Sequence, residues 1–180
     1  MYPPYWVSSK EGTFQYADRY PKSYSLFSGR GKFVDGYDNS VRYVDSVLQG
    51  IFEKVHNYSN FQGFLYLPDH GEDPESGNAH SPDKFTFQMV RIPFLVYLSP
   101  KAIVNRPEIQ KELQKHKDLP WTNDLAYNLL ISLLGIQNAP YEERQFDLAS
   151  PTYQLNWEKV KTQHGTKSLS EKIDPHSRFK

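Results

Sequence analysis

Apolar residues recur at helical spacing in the first half of the chain. From Ser40 onward they return every three or four residues, which is typical of a helix packed on one side: Val41, Val44, Leu48, Ile51, Phe52 and Val55. Asp38 or Asn39 can cap the start of this helix. The pattern therefore predicts a core helix that begins near Ser40.

Two short apolar runs follow, over residues 61–67 and 92–98. Their length and aromatic content favour buried strands over helices. Between them lies a polar segment, residues 70–83, rich in Gly, Pro and Asp. Two buried strands separated by a long polar loop predict an α/β sheet with a functional site in that loop.

Further helices are predicted beyond the second strand. Pro107 followed by the mostly charged residues 108–117 indicates a short solvated helix. Thr122 or Asn123 can cap a second core helix that ends at Gly135 and whose apolar face comprises Leu125, Leu129, Leu130, Leu133 and Leu134. Residues 1–35 read as irregular. Beyond Tyr141 the periodicity fades, and the last fifteen residues have the composition of a disordered tail.

The composition limits the binding partners and the metal ligands that this chain can offer. The 180 residues carry 21 basic and 21 acidic side chains, so no whole-chain charge attracts nucleic acid or an anionic membrane. The chain has no cysteine, so a metal would be held by carboxylates, imidazoles or hydroxyls, which suit zinc, manganese or magnesium. No stretch approaches the roughly 18 apolar residues of a membrane span, and the first residues do not resemble a signal peptide.

The candidate site begins at Asp69 and His70, directly after the first predicted strand. Ligands of α/β sheets bind at the carboxyl ends of strands, and Gly71 allows the backbone to turn sharply there. A carboxylate and an imidazole on adjacent residues can hold one metal ion or bridge towards two neighbouring ones, and Glu72 could orient His70 from outside the metal shell. A plain surface turn is the competing interpretation. His80, in the same loop, shifts the balance towards a metal site, because a loop of this length needs a reason to exist.

Other polar residues receive structural interpretations. His56 ends the first helix, where its ring can cap carbonyl groups. Ser81 and Thr86 lie near His80, but neither has a base at a recognisable spacing, so neither is chosen as a nucleophile. The remaining histidines, in polar stretches, are predicted to be solvated: His116, His164 and His176.

The loop and its flanking segments resemble the sulfatase-like phosphoethanolamine transferases of the alkaline phosphatase superfamily. The match extends over about residues 15–150, in the same order as in that family. It rests on residues 19–21 (Arg-Tyr-Pro), 37–45 (Tyr-Asp-Asn-Ser-Val-Arg-Tyr-Val-Asp), 66–72 (Tyr-Leu-Pro-Asp-His-Gly-Glu), Gly77, His80, 90–99 (Val-Arg-Ile-Pro-Phe-Leu-Val-Tyr-Leu-Ser), 122–125 (Thr-Asn-Asp-Leu) and 133–136 (Leu-Leu-Gly-Ile).

This resemblance implies a fold and a site. The fold would be the carboxyl-terminal half of an alkaline-phosphatase-like αβα sandwich, with residues 1–150 in the catalytic domain and residues 151–180 as a polar, partly disordered tail. Asp69 and His70 would bind zinc, or manganese or another divalent metal. His80 would contact the transferred phosphate group or a second metal.

The resemblance also implies an activity. A threonine nucleophile takes phosphoethanolamine from a phospholipid donor and passes it to lipid A or a lipopolysaccharide core sugar, at the periplasmic face of the inner membrane. The family's threonine, an upstream acidic metal ligand and a Gly-Ser-His element do not occur in this sequence. We therefore expect the amino-terminal half of the enzyme as a partner, and weak or no turnover from this chain alone. Two other functions stay open: a sulfatase or phosphoesterase hydrolase of the same superfamily, and a non-catalytic truncated binding module.

Overall fold

A computed structural model of the protein describes residues 6–8, 14–16, 32–76, 80–162, 165 and 167–168. Most of the predicted irregular segment and half of the predicted tail, residues 151–180, lie outside these residues, and so do His164 and His176. The chain forms two compact units, Met1–Phe61 with His70–Arg91, and Gln62–Asp69 with Ile92–Lys180. The described elements are mixed α and β, which confirms the predicted α/β class at that level.

The first unit is built around one long helix. It contains the antiparallel pair β1 (Trp6–Ser8) and β2 (Phe14–Tyr16), followed by α1 (Lys32–Val55). The predicted start near Ser40 is wrong, because the apolar spacing continues backward through the buried Val34. Ser40 lies inside the helix, where its hydroxyl donates to the Tyr37 carbonyl at 2.6 Å. At the other end His56 Nδ1 lies 3.0 Å from the Phe52 carbonyl, which confirms its structural role.

The second unit contains the two strands that were predicted as buried runs. They are β3 (Gly63–Tyr66) and β4 (Leu95–Leu98), which pair antiparallel with Phe64 opposite Tyr97. The prediction of full burial is wrong: Leu95 is 52% exposed and Tyr97 37% exposed. In β4 the exposed Leu95 and Tyr97 alternate with Val96 and Leu98, which pack against the core, as in a half-buried antiparallel sheet.

Three helices follow β4: α2 (Pro100–Asn105), α3 (Pro107–His116) and α4 (Ala126–Leu134). The helix α2 was not predicted; its N-cap is Ser99, whose hydroxyl accepts from the Ala102 N–H at 3.1 Å. The short strands β5 (Lys161–Thr162) and β6 (Lys167–Ser168) come last and pair antiparallel. The core cluster draws on α3, α4 and the segment after them: Ile109, Leu129, Leu148, Ala149 and Tyr153.

The helix α3 is less exposed than predicted. Its residues Ile109, Glu112 and His116 are buried, on one face of the helix. His116 was predicted to be solvated and is only 3% exposed, because its Nδ1 lies 2.9 Å from the Leu148 carbonyl and its ring lies beside Tyr153. The segment after Tyr141, which shows no periodicity, therefore packs on α3 through tertiary contacts.

Arg106 holds the end of α4. Its Nη1 donates to the Ser132 carbonyl at 2.7 Å, which also accepts from the Gly135 N–H at 3.1 Å, and its Nη2 donates to the Leu133 carbonyl at 2.6 Å, one of the carbonyls that a helix end leaves without an intrahelical partner. Gly135 follows in the left-handed conformation with φ of 68° and closes the helix, at the residue predicted from the sequence.

We expect Arg106→Ala to lower the free energy of unfolding by about 1.5–3 kcal/mol, because it removes the charged guanidinium that donates hydrogen bonds to two carbonyl groups. Arg106→Lys should recover only part of this loss, since an ammonium cannot form the two-pronged contact. Lys117→Ala removes an exposed ion pair with Asp118 and should change stability by less than about 0.5 kcal/mol. Urea unfolding midpoints measure the stability of the three variants. Equal losses of stability in Arg106→Ala and Lys117→Ala would contradict the stabilising role of Arg106 at the end of α4.

Asp147 is completely buried and makes stability depend on pH. Burial raises the pKa of its carboxyl, although hydrogen bonds from the Ser132 hydroxyl and the Ala149 N–H oppose the shift. Because the pKa of Asp147 is higher in the folded state than in the unfolded state, its carboxyl contributes stability to the fold at pH values below the unfolded pKa. This stability is lost as pH rises through the folded pKa.

We therefore expect Asp147→Asn to gain stability relative to the unmodified protein as pH rises from about 4 to 7. The substitution keeps the shape of the side chain and removes the buried charge. Urea unfolding of both proteins at the two pH values measures the difference. A difference that is constant across this range, or that shrinks, contradicts the assignment of a raised pKa.

Candidate metal centre

The loop that begins at His70 is anchored through Gly71. The Gly71 N–H donates to the Met89 carbonyl at 2.7 Å, which draws the loop against the backbone of residues 88–91. A Cβ on Gly71 would lie 2.6 Å from the carbonyl oxygens of both Arg91 and Gln88. Gly71 does not have a positive φ. Glycine is thus required here for close approach of two backbone segments, and not for the sharp turn predicted from the sequence.

Three side chains of the first unit converge in this loop: His70, Glu72 and His80. Each offers one ligand atom, and these atoms all lie within 4.8 Å of one another. The rings of His70 and His80 have centroids 4.5 Å apart and are inclined by 35°. The Glu72 side chain is 7% exposed and that of His80 is 36% exposed, so the cluster has a buried side and an accessible side.

Hydrogen bonds assign the tautomers of the two histidines. His70 Nδ1 lies 2.9 Å from the Gly71 carbonyl oxygen, which can only accept, so Nδ1 carries the proton. His80 Nδ1 lies 2.8 Å from Glu72 Oε1 and donates to that carboxylate. In the neutral His70 ring this leaves the lone pair on Nε2, the arrangement that a metal-ligating histidine commonly has. Glu72 Oε1 lies on the Nδ1 side of the His80 ring, so a metal ion shared by these two residues would take the place of the proton between Nδ1 and Oε1.

Glu72 Oε2 is the atom that tests whether a metal fits. It is buried and makes no hydrogen bond to any residue of the described chain. A carboxylate oxygen buried without a partner is unfavourable, and a bound cation would satisfy it. Two imidazole nitrogens and one carboxylate oxygen form a donor set that zinc accepts readily. The residues present therefore fit a divalent metal.

Asp73 fixes the turn that follows Glu72, over residues 73–76. This buried carboxylate accepts from the Ser76 N–H at 3.0 Å. The neighbouring Thr86 hydroxyl, followed by that N–H, lowers the pKa of Asp73. Asp73 is thus held as a carboxylate that organises the turn over residues 73–76.

The structure brings together three of the four predicted site residues. Asp69 is exposed and belongs to the second unit, where its backbone carbonyl accepts from Asn123 Nδ2 at 2.5 Å. Its role as a metal ligand stays a prediction. The Glu72 carboxylate contacts His80, and its predicted role of orienting His70 stays a prediction. No regular sequence spacing indicates the contact between Glu72 and His80, because these residues are eight positions apart in an irregular loop.

Comparison with known proteins identifies the family. A family model described as Sulfatase matches residues 6–130, which is more than half of the chain. The chain belongs to the Sulfatase family. The resemblance inferred from the motifs is thereby confirmed at the level of the family.

Among curated proteins, this Sulfatase-family chain is 28% identical over 151 residues to Kdo(2)-lipid A phosphoethanolamine 7''-transferase of Escherichia coli K12. It is 29% identical over 151 residues to the enzyme of the same name from Salmonella typhimurium. Each alignment covers 72% of this chain and 26% of the relative. The chain is therefore a distant homologue of these transferases and spans about a quarter of their length.

Solved structures show the same fold. The integral membrane protein lipooligosaccharide phosphoethanolamine transferase A of Neisseria meningitidis aligns with a TM-score of 0.60 and 23% identity, over 73% of this chain and 28% of that one. The C-terminal periplasmic domain of EcEptC from Escherichia coli aligns with a TM-score of 0.66 and 18% identity, over 83% of this chain and 46% of that one. The same domain is also known in complex with Zn, with a TM-score of 0.65. Within the described part of this chain, no helix has the length and apolarity to cross a membrane.

Proposed function

We propose that His70, Glu72 and His80 hold a divalent metal, zinc in the first place, and that manganese or another divalent ion can substitute. Asp69 is proposed as a further ligand, as predicted from the sequence. The observation that carries this proposal is the buried Glu72 Oε2, which has no hydrogen-bond partner among the described residues and belongs to a carboxylate whose ligand atom lies within 4.8 Å of those of two imidazoles. The zinc complex of the EcEptC domain supports the choice of metal.

We propose further that this metal centre serves transfer of phosphoethanolamine from a phospholipid to lipid A or a lipopolysaccharide core sugar. A metal bound at such a centre neutralises charge on phosphoryl oxygens and lowers the pKa of an attacking hydroxyl. The residues of this chain would fix the position of the metal: the carbonyl of Gly71 orients His70, and the Glu72 carboxylate lies 2.8 Å from His80 Nδ1, so that both could reach one ion. Support for the donor and acceptor comes from the names of the distant homologues.

The chain is proposed to act as one part of a larger αβα sandwich at the periplasmic face of the inner membrane. Support comes from the solved relatives, one an integral membrane protein and one a periplasmic domain. Because the chain spans about a quarter of the curated relatives, we propose that the nucleophile comes from a partner segment. The chain alone is then expected to turn over weakly or not at all.

Hydrolysis is the second candidate activity. The matching family model is that of the sulfatases, and a metal centre of the same kind can serve attack on an ester without a lipid or sugar acceptor. What separates the two activities is the need for an acceptor.

A chimera tests the proposed transfer. Residues 15–150 of this chain would replace the matched segment of the Escherichia coli Kdo(2)-lipid A phosphoethanolamine 7''-transferase, in cells without the native enzyme. Mass spectrometry of the extracted Kdo(2)-lipid A should show the added phosphoethanolamine. His80→Ala in the chimera should abolish it, whereas the exposed His56→Ala should not.

Two outcomes contradict the proposal. A chimera with the circular dichroism of its parent but no modified lipid would exclude transfer by these residues. Release of free phosphoethanolamine or sulfate from model esters, without any acceptor, would assign hydrolysis instead.

A further inference from the structure

One sequence motif, Thr-Asn-Asp-Leu at residues 122–125, has no role in the proposed metal centre. In the structure it forms the turn that leads into α4. Asn123 begins a short 3-10 turn, and its backbone carbonyl accepts from the Ala126 N–H. This bond uses the main chain of Asn123, so its side-chain amide can make a separate contact.

The Asn123 side chain contacts the loop that leaves β3. Its Nδ2 donates to the backbone carbonyl of Asp69 at 2.5 Å, across 54 positions of the sequence. Both residues belong to the second unit. The turn before α4 therefore holds the backbone at the residue that was predicted to bind a metal.

Asn123 extends from a segment that is itself anchored. Two residues earlier, Trp121 stacks on Phe94 with ring centroids 4.3 Å apart and planes inclined by 4°. The Tyr153 hydroxyl donates to the carbonyl of Pro120. Because these contacts already order the backbone before Asn123, its amide can hold the Asp69 carbonyl with little further loss of conformational freedom.

The Asp69 carbonyl is part of the peptide group that joins Asp69 to His70. A peptide group is planar, so a hydrogen bond that fixes its oxygen also fixes the direction of its bond to the next residue. One residue further on, the Gly71 N–H donates to the Met89 carbonyl. The backbone from Asp69 to Gly71 is thus held at both ends, and Asn123 supplies one of the two restraints.

We propose that Asn123 is a positioning residue of the metal centre, whose side-chain amide sets the orientation of the peptide between Asp69 and His70. The inference rests on the proposed metal-binding function. Groups outside a metal shell that orient its ligands commonly raise metal affinity by about 10–100-fold. Asn123 contacts the backbone between two ligands and neither ligand side chain, so we expect an effect at the lower end, about tenfold.

Zinc titration of the full 180-residue chain tests the proposal. Asn123→Leu keeps the approximate size of the side chain and removes the donor without adding charge, and it should weaken zinc binding about tenfold. Asn123→Gln keeps an amide donor and should recover part of the affinity. The matched control is Asn57→Leu, because Asn57 Nδ2 also donates to a backbone carbonyl, that of Glu53, at 2.9 Å. This control should bind zinc like the unmodified chain.

A purely structural role of Asn123 predicts a different result. It would lower the urea midpoint of the metal-free chain and leave the zinc affinity unchanged. Cobalt(II) in place of zinc gives a second measurement, because its visible absorption bands depend on the arrangement of the ligands. Asn123→Leu should shift these bands, whereas Asn57→Leu should leave them in place.

Two results would overturn the inference and leave the metal function standing, provided that His80→Ala weakens zinc binding in the same titration. One is a zinc affinity and cobalt spectrum of Asn123→Leu equal to those of the unmodified chain. The other is an equal loss of affinity in Asn57→Leu. Unchanged zinc binding by His80→Ala would contradict the metal function and this inference with it.

Discussion

Replacing Gly71 with alanine should lower the zinc affinity of the protein at least about tenfold and destabilise the first unit by about 1–3 kcal/mol. The new Cβ would lie 2.6 Å from the carbonyl oxygens of Arg91 and Gln88, a distance that forces the backbone to move. The displaced loop would lose the hydrogen bond from the Gly71 N–H to the Met89 carbonyl. His70 and Glu72, on either side, would then no longer face His80 correctly.

The matched control is Gly50→Ala. Gly50 lies inside α1, and a Cβ there meets no atom within 4 Å. Alanine is favoured over glycine in a helix interior by about 0.5–1 kcal/mol, so this variant should be equally or more stable and should bind zinc normally. Isothermal titration with zinc and urea unfolding measure both effects. Equal zinc affinity of the two variants would show that close packing of Gly71 does not support the site.

Replacing Glu72 should weaken zinc binding by about 10–100-fold, and the choice of replacement reports what the carboxylate does. Glu72→Ala removes both oxygens. Glu72→Gln keeps an oxygen that can accept from His80 Nδ1. It removes the negative charge and replaces the other oxygen with an NH2 group, which cannot bind a metal ion. Because Oε2 is buried without a hydrogen bond to any described residue, we expect glutamine to lose nearly as much affinity as alanine.

A Glu72→Gln protein that binds zinc like the unmodified one would contradict a ligand role. It would restrict Glu72 to orienting His80 through Oε1, 2.8 Å from its Nδ1. Glu75→Gln provides a control of the same chemistry, since Glu75 is exposed and lies in the same loop.

Local sequence signals predicted much of the site. The Asp-His-Gly-Glu run after an apolar strand and the histidine in the following loop predicted His70 and His80 as site residues, and the fold places them together. The pairing of Glu72 with His80 and the packing of Gly71 on residues 88–91 depend on how the loop folds back. Such contacts have no period in the sequence, and they became visible only in three dimensions.

The same division holds for the fold. Helical spacing predicted α4 and its end at Gly135, where the backbone needs a left-handed residue. It misplaced the start of α1 because Ser40, read as a boundary, forms a hydrogen bond inside the helix. The segment around Asp147 and Leu148 shows no periodicity in the sequence, since its order comes from single contacts with Ser132 and His116.

The central claim, that His70, Glu72 and His80 hold a metal, is tested most directly by X-ray absorption at the zinc edge of the chain loaded with one equivalent. We expect two imidazole nitrogens at about 2.0–2.1 Å and at least one carboxylate oxygen at about 2.0–2.2 Å. The imidazole signal should fall by one ligand in His70→Ala and in His80→Ala. A spectrum with fewer than two imidazoles, or one unchanged by these two substitutions, would contradict the assignment.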